Sequence, residues 1–294
     1  IKVLGSDEAR LFMRDGTEVH VEGSANDVSA DIVIDDDSLG EVSVPWKRID
    51  TIQFSATPSS AEPKGFRIHG TVETSEGNFE GYIQWDSEEC LSYDKIDGED
   101  DDINVSLDFG KIRSIARHTR NSSKVTLKDG REMILDGTND VDDDIRGILV
   151  EDERFGRVEV NWDAFRKATF SDAGGSGRPY SYYGEDGALN GTVETTNGGS
   201  HTGRIVFDLD EAYAWEMLDG DDDDIQYSIP MGMIKSIEPR GSDSANIVLR
   251  NGEKLRLEDS QDVSDSNDGI VVVKAGGDEK VLIKLDDLDQ LTFD

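Results

Sequence analysis

The chain repeats itself, and that repetition limits its architecture more tightly than any other property. The stretch from Gly70 aligns on the stretch from Gly191: GTVET meets GTVET, Gly77 meets Gly198, Trp85-Asp86 meets Phe207-Asp208, and Ile96-Asp97-Gly98 meets Leu218-Asp219-Gly220. The match runs on from Asp100 to Ile103 against Asp222 to Ile225, then through Ile112 and Ile115 against Ile234 and Ile237. A second pattern occurs three times, led by Asp15-Gly16, Asp129-Gly130 and Asn251-Gly252. Its late anchors are Trp46, Ile49 and Phe54; Trp162, Phe165 and Phe170; and Leu285, Leu288 and Phe293. Self-similarity of this kind marks a supersecondary unit used repeatedly.

With the three-copy pattern called A and the two-copy pattern B, the order is A (1–54), B (66–118), A (121–170), B (187–239), A (243–294). Each stretch has about fifty residues, close to the lower limit for an independent core, so neighbours are expected to bury surface against one another. Turn-forming linkers at 55–65 (Pro58, Pro63) and 171–186 (Gly174, Gly175, Gly177, Pro179) join each A to the next B. Only a few residues join each B to the next A, which makes B–A pairs over 66–170 and 187–293 the expected rigid units. Ile1 aligns with Ile115 and Ile237, so residues 1–4 are expected to be the closing strand of a B-type unit or a bare strand left by processing. An opening inside a repeat, without an initiator Met, makes an excised secretion signal and an extracytoplasmic location the expectation. No run of about eighteen apolar residues exists to insert in a membrane.

Within the second A copy, Val125-Thr126-Leu127 and Met133-Ile134-Leu135 flank Asp129-Gly130, the strongest short hairpin signal because glycine takes positive φ without strain. Strands at Ile148-Leu149-Val150 and around Val158-Glu159-Val160 follow. After Trp162 the apolar spacing changes from two to three through Phe165 and Ala168, which predicts a short helical turn and a final strand. B reads as Gly70 to Thr74, a Gly77 turn, Gly81 to Trp85, an ambiguous piece to Ile96, Ile103 to Leu107, and Ile112 to Ala116. The ambiguous piece reads as a strand, with a helix as the alternative because Asp86 and Glu89 have capping-box spacing. Four or five short strands with one late helical turn, and the Ile229-Pro230 to Ile234 to Ile237 ending, resemble Sm-like and SH3-like small barrels at the level of fold. That resemblance implies an all-β chain of five tandem small β-barrels. A five-bladed β-propeller is the competing architecture.

Charge restricts the partners. The chain carries 65 acidic and 30 basic residues, a formal net charge of −35. A field of that sign repels nucleic acids and anionic lipid, because nucleic-acid affinity rests on cations displacing counterions from phosphates. RNA binding, which the Sm-like resemblance implies, is therefore not expected; an unidentified protein, a polycation or a metal ion fits better. At 35% apolar residues and with clear periodicity, the chain is expected to fold. A lone cysteine, Cys90, excludes an intramolecular disulfide and aligns with Ala212, as a small packed residue would.

The strongest chemical candidates are the aspartate clusters Asp100, Asp101 and Asp102, and Asp222, Asp223 and Asp224, which occupy the same glycine-led turn in both B copies. Calcium takes six to eight oxygen ligands, and closely spaced aspartates can supply several. Neither turn has the ligand ladder of an EF-hand, and solvated structural turns are the competing reading. Asp27-Val28, Asp140-Val141 and Asp262-Val263 recur in all A copies, which a turn-forming carboxylate and a core-plugging valine explain without metal. The tryptophans interchange with Leu and Phe between copies, so they read as core. Tyr180, Tyr182 and Tyr183 lie in the second linker. His20, His69, His118 and His201 show no metal-ligand spacing, and no serine has a nucleophile-elbow context. The chain therefore reads as a non-catalytic binding or structural module that presents acidic loops to calcium or a protein partner. A glycan-acting hydrolase with paired carboxylates in an inter-module cleft is the alternative.

Overall fold

A computed structural model describes residues 1–14, 16–23, 28–36, 38–56, 65–173, 187–274 and 279–294. Asp15, Asp27 and the linker residues Pro58, Pro63, Gly174, Gly175, Gly177, Pro179, Tyr180, Tyr182 and Tyr183 lie outside them. The described residues form antiparallel β-strands and short 3-10 turns, with no α-helix among them. Two compact units divide the chain: Ile1–Glu62 with Gly177–Gly187, and Pro63–Ser176 with Ala188–Asp294.

The first unit contains β1 (Lys2–Val3), β2 (Glu8–Phe12) and β3 (Glu18–Glu22) in one sheet, and a hairpin of β4 (Ile32–Asp36) and β5 (Gly40–Val44). A 3-10 turn at Trp46–Arg48 buries Trp46, whose indole N–H donates to the Gly5 carbonyl at 3.0 Å. Phe12, Val33, Ile34 and Phe54 are exposed.

The second unit holds everything else. Its first B stretch has β6 (His69–Thr74), β7 (Asn78–Trp85), β8 (Lys95–Asp100), β9 (Ile103–Asp108) and β10 (Ile112–Thr119). The A stretch that follows has β11 (Ser122–Leu127), β12 (Glu132–Asp136), β13 (Ile148–Asp152), β14 (Gly156–Val160) and β15 (Phe165–Phe170). The next B has β16 (Asn190–Thr195), β17 (Ser200–Val206), β18 (Met217–Asp222), β19 (Ile225–Pro230) and β20 (Ile234–Pro239). The last A has β21 (Ser244–Leu249), β22 (Lys254–Glu258), β23 (Ile270–Val273), β24 (Lys280–Ile283) and β25 (Leu288–Phe293).

These 20 strands form one antiparallel sheet. Followed from strand to strand, the pairings run β9-β8-β12-β11-β10-β15-β6-β7-β13-β14. From β14 they cross to β19 and run β19-β18-β22-β21-β20-β25-β16-β17-β23-β24. The second series repeats the first, strand for strand. Registers repeat too: Asp136↔Glu99 corresponds to Glu258↔Asp221, and Gly70↔Phe170 to Gly191↔Phe293. In the first unit, Lys2↔Arg10 and Val3↔Ala9 keep the register of Ala116↔Lys124 and Arg117↔Ser123, so β1 stands to β2 as β10 stands to β11.

The all-β expectation holds at this level, but the described residues form neither a closed small barrel nor a ring of propeller blades. Edges that a self-contained barrel would join to each other are joined instead to the neighbouring stretch: β7 pairs with β13, β8 with β12, and β15 lies between β6 and β10. Glycine makes this possible. A Cβ at Gly70 would collide with the Thr169 carbonyl of β15, and one at Gly81 with the Glu151 carbonyl of β13. The GTVET glycine therefore marks where a strand of the next stretch crosses, while Val72 and Thr74 on the same face point into the core.

One contiguous core runs from Ile68 to Phe293. Trp85 lies edge-on to Phe165 at 5.4 Å, and Tyr227 of β19 packs against Phe79 and Phe155 at 6.2 and 5.9 Å, so the second half closes the core of the first. The late helical turn appears as 3-10 turns at Trp46–Arg48 and Leu285–Asp287, and B has its own at Phe109–Lys111 and Met231–Met233, but in the second A copy residues 162–164 form a plain turn, and Phe165 and Ala168 already lie in β15. The ambiguous piece of B is neither a helix nor one long strand. Residues 86–94 are turns tied down by the bridges Trp85↔Glu89 and Arg67↔Leu91, and β8 begins only at Lys95.

Candidate functional site

Asp100 and Asp222 are the last residues of β8 and β18, and Asp101-Asp102 and Asp223-Asp224 are the turns leading into β9 and β19. Asp101, Asp102 and Asp223 have φ of 48°, 66° and 51°. Aspartate tolerates this left-handed region better than most residues, which accounts for its use there. The turn side chains are exposed, and Asp224 accepts a long hydrogen bond from Asn161 at 3.5 Å. Asp222 is half-buried, and burial, then the neighbouring Asp223 charge, pushes its carboxyl up. Among the described residues, three metal-competent ligand atoms lie within 4.8 Å of one another only at Glu8, His20 and Glu22, and not at these six aspartates. The β2–β3 register sets Glu8 across from Glu22, and His20 Nε2 lies 2.8 Å from Glu8 Oε1. Linear spacing of histidines gave no sign of this group, because the neighbours are across strands.

The acids read from the sequence as turn formers, Asp140 and Asp262, and as candidate helix caps, Asp86 and Glu89, build a more specific structure. Where β7 ends, Asp86 adopts φ 49° and is fully buried. One carboxylate oxygen accepts from the Arg146 backbone N–H at 2.6 Å; the other accepts from the Arg146 guanidinium at 2.5 and 3.1 Å and from Asn139 at 2.5 Å. Arg146 also donates to Glu88 at 2.9 Å, and both carboxylates hold its guanidinium firmly protonated. Asp140 of the recurring Asp-Val pair is used twice: its carboxylate accepts from the Asp97 N–H at 2.8 Å, and its carbonyl accepts from the Trp85 indole at 2.8 Å. Val141 is fully buried. The Asp-Val turn thus bonds a backbone N–H and plugs the core as the sequence implied, but the N–H belongs to the preceding B stretch. Nearby, burial pushes the Glu89 carboxyl up to about 7, and its Oε2 has no hydrogen-bond partner.

The second half builds the same joint with other residues. Asp208, φ 46° and 4% exposed, accepts from the Asp268 backbone N–H and from the Gln261 side chain. Asp262 accepts from the Asp219 N–H at 2.6 Å, as Asp140 does from Asp97. Phe207 replaces Trp85 and cannot donate, so the Asp262 carbonyl takes a hydrogen bond from the buried Asn267 amide at 3.2 Å, where the first half has Ile145. Arg146 is replaced by Asp268. No guanidinium or ammonium group forms an ion pair with Asp208, Asp210, Glu211, Asp262 or Asp268 among the described residues. Burial pushes Asp262 up to about 6 and, with Asp210 adding to it, Glu211 up to about 9. Glu211 Oε2, like that of Glu89, is buried without a partner.

These two joints tie the second and third A stretches to the B stretches before them through carboxylates that accept backbone N–H groups from the other stretch. Chemically they can exchange protons near neutral pH; the hydroxyls beside them, Ser87, Thr138 and Ser260, donate to backbone carbonyls. Trp85, Trp46 and Trp162 are core residues, and Trp215 stacks on Tyr213 at 5.8 Å. Cys90 is half-buried, and burial pushes its thiol up. No protein-family model, curated protein or solved structure matches the chain.

Proposed function

We propose that the chain is a non-catalytic acidic β-repeat scaffold, extracytoplasmic in setting, that binds a basic protein segment or other polycation through its exposed hairpin turns. The observation that carries this reading is how the acids are divided. Those in the joints are consumed by backbone N–H groups, whereas Asp101, Asp102, Asp223 and Asp224 stand exposed at the tips of equivalent hairpins. With a net charge of −35 behind them, such turns attract cations over a Debye length and repel nucleic acid. The resemblance to Sm-like and SH3-like modules extends to short antiparallel strands and a tight late turn, and the RNA binding common in that family is not carried over.

Calcium is the competing ligand for the same turns. A glycan-acting hydrolase would need two carboxylates facing each other across a cleft. The two cavities described, about 360 and 570 Å³, include one acid, Asp172, in the first lining and none in the second. Titration with poly-lysine at rising sodium chloride tests the reading. Binding should weaken with salt and should fall when Asp101, Asp102, Asp223 and Asp224 are changed together to Asn. Calcium and magnesium should raise Tm no more than sodium chloride of matched ionic strength. Calcium-specific stabilisation at low concentration would assign the turns to the metal, and absence of poly-lysine binding would remove the polycation reading.

A further inference from the structure

The large sheet ends in two strands that are paired on one side only: among the described residues β9 pairs with β8 and β24 with β23. In the repeat, β9 is the counterpart of β19, and β24 is the counterpart of β14. Those counterparts hydrogen-bond to each other where the two halves meet, in the register Arg157↔Ser228, Val158↔Tyr227, Glu159↔Gln226 and Val160↔Ile225. The molecule therefore contains, in its middle, a worked example of how a β14-type edge fits a β9-type edge; β24 and, in the first A stretch, β5, which pairs only with β4 among the described residues, are the other β14-type edges.

We propose that these edges bind each other between copies of the chain, β24 of one protomer adding to β9 of the next. The internal junction fixes the register: Lys280 opposite Ser106, Val281 opposite Val105, Leu282 opposite Asn104, and Ile283 opposite Ile103. Every position is compatible. Two apolar pairs face the core side, and no like charges oppose each other. The exposure pattern points the same way. Ile103 is 66% exposed while its counterpart Ile225 is fully buried by β14, and Val105 and Leu107 are half-covered where Tyr227 and Ile229 are buried. Leu282 is 55% exposed. Neither edge is blunted in the usual way: β9 has no proline or lysine, and its one charge, Asp108, lies at its end, as Lys280 does in β24. Because the two surfaces differ, the contact is heterologous and propagates head to tail, to a filament or to a ring if the rotation closes. Net negative charge opposes it at low salt and is screened at high salt. The inference rests on strand register and is independent of what the acidic turns bind.

The test combines mass and register in the full chain. By sedimentation or light scattering in high salt, the mass should rise with concentration above the 32.4 kDa of one chain. Ile103→Lys, which places a charge on the core side of the new junction, should weaken association about tenfold or more, whereas Leu282→Lys, whose counterpart Glu159 already carries a charge in the internal junction, should change it little. For register, Asn104→Cys and Leu282→Cys are introduced together with Cys90→Ala, which copies Ala212, and the protein is oxidised with copper phenanthroline. A ladder of cross-linked multimers is expected. A concentration-independent mass of one chain would overturn the proposal. So would a cross-link closed within a single chain, or a monomer with protected β9 amides, either of which would mean that the same chain already covers the edge.

Discussion

Asp86 and Asp208 occupy the same place in two copies of one design, yet the first is neutralised by a guanidinium and the second is not. In the first half Arg146 satisfies Asp86 and Glu88 together. In the second, Asp268 stands at that position and contributes only its backbone N–H. The backbone bonds are conserved in geometry: Asp140 holds Asp97, and Asp262 holds Asp219. The fold therefore requires the acceptor oxygens and the N–H groups they bind, while charge balance is free to vary between copies. Glu211 is pushed higher than Glu89, by burial first and then by its neighbour Asp210.

The largest effect should come from removing the cation. Arg146→Ala leaves a fully buried carboxylate unpaired and should cost about 3 kcal/mol, the low end for a buried pair because the arginine is itself partly exposed. The same change at Asp268 should cost less than about 0.5 kcal/mol, and Asp268→Arg should raise Tm at alkaline pH. Equal losses at the two positions, read by chemical denaturation, would break the comparison.

Next in size is the exchange of donors. Trp85→Phe removes the indole N–H from the Asp140 carbonyl and should cost about 2 kcal/mol. Ile145→Asn imports the amide that the second half uses, so the double variant should lose less than the sum of the singles, with a coupling of about 1 kcal/mol. Additivity would mean that Asn267 does not replace Trp85.

A smaller difference is written in pH. Glu211 has an ordinary carboxyl pKa when unfolded and about 9 when folded, so the folded chain binds more protons between those values. Stability is complete below the ordinary value and falls as pH rises towards 9; for Glu89 the corresponding fall ends near 7. Glu211→Gln should flatten the thermal profile between those limits and raise Tm at pH 8 by a few degrees, about 2–4 °C per kcal/mol in a chain of this size. Glu89→Gln should act only on the lower part of the window. The smallest effect belongs to the turns: Asp102→Gly, at φ 66°, should change stability by less than about 1 kcal/mol.

Much of this was legible in the chain itself. Strand positions followed from alternation and the A hairpins from Asp-Gly, because each is a local signal, whereas the spacing of three after Trp162 falls on the strand β15 and not on a helical turn. Pairing was not legible. Alternation tells which face of β7 is buried but not that its outer edge meets β13, and the clue, the crowding at Gly70 and Gly81, is recognisable only once the crossing strand is known. The aspartate clusters drew attention by density, although density at a two-residue turn reflects tolerance of positive φ. The joint acids were visible as the recurring Trp/Phe-Asp and Asp-Val pairs, but their partners lie far along the chain and in different strands.

The central claim is that neighbouring stretches share one sheet and do not close separately. Amide hydrogen exchange on the intact chain tests it most directly. Interleaving predicts that the amides of β7 facing β13 and of β17 facing β23 are protected as strongly as those within the β6–β7 and β16–β17 hairpins. Fast exchange along the β7–β13 and β17–β23 contacts, with the hairpins still protected, would contradict it.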